Sequence, residues 1–73
     1  MPFGQNVQRL RRAAGLSQEE LAERLGVTRQ AVSKWERDSA YPEMEKLARM
    51  SQLFGVTVEA LLNGDPAPAQ ARP

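Results

Sequence analysis

Along this chain the apolar residues recur three and four positions apart and nowhere alternate with polar ones, a pattern that predicts helices and no strands. A first helix is expected from about Gln5 to Ala14, with Val7, Leu10 and Ala14 on one face and Gly15 as its stop. Ser17 opens a second helix as half of an S-x-x-E capping box. Its hydroxyl accepts from a free backbone N–H three residues on, while Glu20 reaches back. Leu21, Ala22 and Leu25 face inward along that helix, and Gly26 ends it by taking positive φ. Thr28 caps a third helix, with Val32 and Trp35 on its buried side. Asp38 to Tyr41 reads as a loop. Pro42 fits the first turn of a fourth helix, where its missing N–H leaves no acceptor wanting. Met44, Leu47, Ala48 and Phe54 are expected to face the core there, before Gly55 stops the helix. Thr57 caps a short fifth helix holding Val58, Leu61 and Leu62. The expected fold is all-α, a five-helix bundle over residues 1–63. Residues 64–73, rich in Ala and Pro and poor in apolar bulk, are expected to form a disordered tail.

Residues 18–37 carry a more specific pattern. Two helices crossing at 90–120° through a tight turn need a small residue at their contact, a turn residue with positive φ, and apolar groups that lock the angle. Counting Gln18 as the first, Ala22 is the small residue at the fifth place and Gly26 the glycine at the ninth. Leu21, Leu25, Val27, Val32 and Trp35 fill the fourth, eighth, tenth, fifteenth and eighteenth. This is the spacing of a helix-turn-helix, the alternative being a helical hairpin that does nothing but pack.

Composition narrows the chemistry. With 73 residues there is room for one domain and a modest core. The chain has no cysteine and no histidine, so it lacks disulfides, thiolate metal sites, the usual general base and the commonest metal ligand. No paired carboxylates offer an alternative, and no enzymatic activity, cofactor or metal is expected. Apolar runs reach only three residues, against the roughly 20 that span a bilayer, and Met1 to Gln8 lacks the basic and apolar regions of a signal peptide. A soluble cytoplasmic protein without membrane contact is expected. The net charge of +1 says little, but its distribution says more. Arg9, Arg11, Arg12, Arg24, Arg29, Lys34 and Arg37 all lie before residue 38, either as one basic face or as ordinary solvated charges. Glu19, Glu20 and Glu23 sit at the start of the second helix, where they suit its dipole.

The segment LSQEELAERLGVTRQAVSKWERD, followed by Pro42 and LFGVTVEALL, resembles the phage-repressor and Cro type of helix-turn-helix, also called the XRE family. The resemblance covers residues 5–62. It implies a lambda-repressor-like domain that binds double-stranded DNA sequence-specifically, as a transcriptional regulator and repressor acting as a homodimer on a palindromic operator. It also implies a cytoplasmic, nucleoid-associated protein of bacterial or phage origin. In that geometry the third helix enters the major groove and its N-terminal residues meet base edges. The resemblance puts base contacts on Arg29, Gln30 and Lys34, with Ser33 beside them. Gln pairs bidentately with adenine, and Arg or Lys with guanine.

By the same resemblance Gln18 contacts phosphate and props a side chain of the third helix, helped by the free N–H groups at its helix start. Thr28 and Arg37 are further phosphate candidates. Arg11 is expected to pair with Glu36, tying the first helix to the end of the third, with a phosphate contact as its alternative role. Trp35 belongs to the core rather than to a stacking platform. Where the family often has Gly after the third helix this chain has Asp38, a residue that tolerates the left-handed region better than most. Val56, Val58, Leu61 and Leu62 are expected either to form the dimer surface or to complete the protomer core. A reading of a different class is an antitoxin-type interaction module that also binds DNA, its tail folding on a toxin or other protein partner.

Overall fold

The computed structural model describes residues 2–64, so the expected tail falls outside the described residues, apart from Gly64. Among these residues there are five helices: α1 Phe3–Ala13, α2 Gln18–Leu25, α3 Arg29–Glu36, α4 Met44–Phe54 and α5 Val58–Asn63. None is long and apolar enough to cross a membrane. Helix α3 packs against α1 and α2, while α5 packs against α1 and α4. The core between them is Val7, Leu21, Leu25, Val32, Met50 and Leu61, fully enclosed, ringed by Phe3, Ala22, Trp35, Leu47, Val56 and Ala60.

Local chemistry sets the central boundaries. Ser17 Oγ accepts from the Glu20 N–H at 3.0 Å and Glu20 Oε1 accepts from the Ser17 N–H at 2.8 Å, closing the capping box. Thr28 and Thr57 cap α3 and α5 in the same way, through the N–H groups of Ala31 and Ala60. Gly26 turns the chain from α2 towards α3 at φ +71°, a conformation that costs a side-chain-bearing residue about 1 kcal/mol. The Glu20 carboxyl is held below its ordinary pKa, first by the Ser17 backbone N–H, then by the Ser17 hydroxyl and the Arg24 charge. Its contribution is therefore complete above the usual glutamate range and fades as pH falls through the lowered value. Replacing the cap, Ser17→Ala, is expected to remove about 1 kcal/mol at neutral pH. A thermal melt unchanged from wild type would show that the Ser17 hydroxyl contributes nothing.

Five expectations, at the two ends of α1 and along α4, need correction. Helix α1 starts at Phe3, two residues early, because Phe3 is buried and its ring packs against Tyr41 at 5.3 Å between centroids. At the other end Ala14 is an exposed cap residue rather than part of the inward face. Pro42 precedes α4 instead of lying in its first turn, since Glu43 is still extended and serves as the N-cap. That late start leaves Met44 at the helix entrance, 68% exposed, and Ala48 also faces solvent. Met50 takes the core place, three residues after Leu47 on one face.

Asn6 is the unexpected core residue. Fully buried, it donates through Nδ2 to the carbonyls of Ala60 (3.1 Å) and Leu61 (2.9 Å), fastening α1 to α5. Its Oδ1 accepts from Arg9 Nη2, so both ends of the amide are satisfied.

Candidate nucleic-acid interface

Helix α3 has two unlike faces. Val32 and Trp35 are enclosed, whereas Arg29, Gln30, Lys34 and Arg37 are exposed and Ser33 is half-buried. Arg29, Gln30, Ser33, Lys34 and Arg37 line one shallow depression. All five side chains can donate hydrogen bonds, and none of them is a carboxylate. The depression is thus suited to an acceptor-rich, anionic surface.

Behind that face lies a nearly dry polar network. Arg11 Nε donates to Glu36 Oε2 at 2.6 Å, Nη2 to Oε1 at 3.3 Å, and Nη1 to the carbonyl of Leu16 at 2.8 Å. The side chains of this pair are only 9% and 3% exposed. Gln18, the first residue of α2, donates through Nε2 to Glu36 Oε1 at 3.0 Å. One carboxylate at the end of α3 therefore holds α1 and the start of α2 together.

A helix-turn-helix family profile matches residues 7–61. The chain belongs to the helix-turn-helix family of XRE type. It is 48% identical over 65 residues to the HTH-type transcriptional activator BcrR of Enterococcus faecalis, covering 89% of this chain and 32% of that protein. It is 39% identical over 70 residues to the regulator y4dJ of Sinorhizobium fredii, covering 94% of this chain and 91% of that one. The P22 c2 repressor, solved in complex with a synthetic operator, shares its fold with a TM-score of 0.84 at 29% identity, covering 89% of this chain and 98% of that chain. SinR in complex with DNA gives 0.73 at 33% identity, over 81% of this chain and 95% of that chain. The helix-turn-helix chain thus spans about a third of BcrR, and 57% of the Bacillus subtilis prophage regulator YonR. These relatives bear the names of transcriptional regulators, not of enzymes.

Within this helix-turn-helix domain Thr28 is exposed, and its hydroxyl oxygen is engaged with the Ala31 N–H. Gln18 is half-buried and does prop a side chain of α3, the last one, Glu36. The residues expected at a dimer surface divide. Val56 is 5% exposed and Leu61 is fully enclosed, so both complete the protomer core. Val58 is half-buried and Leu62 is 43% exposed, so only these two have surface to offer a partner.

Two residues hold the end of α3 in place through contacts that the pattern did not reveal. Gly4 lies so close to α3 that a Cβ there would stand 2.5 Å from the Glu36 carbonyl oxygen and 2.6 Å from that of Trp35. Asp38 takes φ +59°, the left-handed position anticipated for it, and also does something a glycine could not. Its Oδ1 accepts from the Gly4 N–H at 2.9 Å, capping α1 from 34 residues away, where Pro2 offers no side-chain cap of its own.

Proposed function

We propose that this domain reads duplex DNA sequence-specifically by laying α3 in the major groove, and that it regulates transcription as a repressor, bound as a homodimer to a palindromic operator. The observation that carries this reading is the exposed face of α3. It presents Arg29, Gln30 and Lys34 on a helix whose other face is locked into the core. Gln30 suits adenine at N6 and N7, while Arg29 and Lys34 suit guanine at O6 and N7. Gln18 and Thr28, at the starts of α2 and α3, supply phosphate contacts that set the register. The likeness to the P22 c2 repressor supports both the docking mode and the repressor role. Val58 and Leu62 on α5 supply the dimer contact, and two linked half-sites raise the affinity that a single small domain lacks.

Selection of bound duplexes from a random pool tests this directly. The expected product is a pair of inverted half-sites one helical turn or so apart. Unpaired half-sites would refute the two-fold arrangement, and a pool without consensus would refute sequence reading. Repeated with Gln30→Ala and Lys34→Ala, the selection should relax at one half-site position each, by roughly 1–3 kcal/mol. Gln18→Ala should instead weaken all sequences about equally. An unchanged consensus for both α3 variants would sink the base-reader assignment.

A further inference from the structure

Arg37 caps the C-terminus of α3, beyond the first turn where base contacts are ordinarily made, and the sequence pattern suggests a phosphate contact for it. Its side chain, however, runs back along the helix. Nη1 donates to Ser33 Oγ at 2.7 Å, one turn earlier. This bond brings the guanidinium into the depression shared with Arg29, Gln30 and Lys34. The neighbouring carboxylate does not neutralise it, because Asp38 Oδ1 is turned onto the Gly4 N–H. The only ion pair among the described residues is that of Arg11 with Glu36.

A guanidinium carries five N–H donors in a rigid fork. With one of them on Ser33, enough remain to engage O6 and N7 of a guanine side by side. Ser33 accepts from Arg37 through one lone pair of its hydroxyl, so the two side chains sit as a unit in the depression. We propose that Arg37 is a specificity-determining residue that reads a guanine in the major groove, and that Ser33 is the positioning residue that holds it there. This rests on the DNA-binding reading above.

The test uses a duplex carrying the selected site and a set of single-base-pair variants, with affinity followed by fluorescence anisotropy over a salt series. In Arg37→Ala, discrimination at one G·C position, about tenfold or more in the wild type, should collapse while the other positions keep theirs. Arg37→Lys should restore it only in part, since an ammonium can meet O6 and N7 but lacks the planar fork that binds Ser33 and the base edge together. Ser33→Ala should weaken discrimination at that same position and add nothing in the Arg37→Ala background, and Ser33→Thr should rescue it. A uniform loss over all variants, with a salt slope shallower by about 0.9 and restored by Arg37→Lys, would make the contact a phosphate and overturn the proposal. A Ser33→Ala effect at a different position, or one additive with Arg37→Ala, would overturn the positioning role. Wild-type protein that binds no duplex would instead strike the DNA-binding reading itself.

Discussion

Gly4→Ala is expected to lower the stability of the domain by about 2–4 kcal/mol, although alanine is the better helix former. The propensity gain is about 1 kcal/mol in favour of the variant. Against it stands a Cβ placed 2.5–2.7 Å from the Glu36 and Trp35 main chain. Main-chain atoms of a neighbouring helix cannot rotate aside as a side chain can, so α1 and the end of α3 must separate. Such overpacking ordinarily costs 1–3 kcal/mol, and here it takes further interactions with it. Moving α1 also stretches the Asp38–Gly4 cap and the Asn6 bonds to α5. A domain of this size has on the order of 5 kcal/mol in total. The melting temperature should therefore fall by roughly 10 °C or more. Gly26→Ala is the useful contrast. No atom lies within 4 Å of its added Cβ, and the cost there is the backbone term alone, about 1 kcal/mol. Equal melting temperatures for the two variants would contradict the steric account.

The contrast between those glycines also marks what the sequence could reveal. Gly26 was legible because its role is local: a helix ends, and the turn that follows needs positive φ. The same is true of Ser17, Thr28 and Thr57, whose caps involve residues three positions away. The split of α3 into an apolar side and a donor-bearing side was legible too, since helical period alone divides Val32 and Trp35 from Arg29, Gln30 and Lys34. Gly4, Asn6 and the bond from Gly4 to Asp38 were not, because each is explained by a partner more than 30 residues distant. A signal for Asn6 did exist. It stands three residues after Phe3 and four before Leu10, on the apolar stripe of α1 once that helix is allowed to begin at Phe3. The start of α4 was misplaced for a local reason: Pro42 suits the first turn of a helix, but Glu43 after it is still extended and serves as the N-cap.

Arg11→Ala should be as damaging as Gly4→Ala, for an electrostatic reason. The Glu36 carboxylate, 3% exposed in its side chain, would keep one donor, the Gln18 amide, and lose its countercharge. Removing one member of a buried ion pair costs about 3–5 kcal/mol, most of it the desolvation of the survivor. A loss below 1 kcal/mol would put the pair in the class of exposed ones. The double variant Arg11→Met with Glu36→Leu separates stability from positioning. Apolar groups of similar volume are often neutral or better in place of a buried pair, so the double variant should recover most of the lost stability. It should not recover the interface. Without Glu36 nothing holds the Gln18 amide at the start of α2, and a phosphate contact made there would be lost over every sequence alike. A double variant that is both stable and fully competent on DNA would show that the pair serves the fold alone. One that folds well and binds all duplexes weakly would make the same carboxylate a tie between helices and a support for the interface.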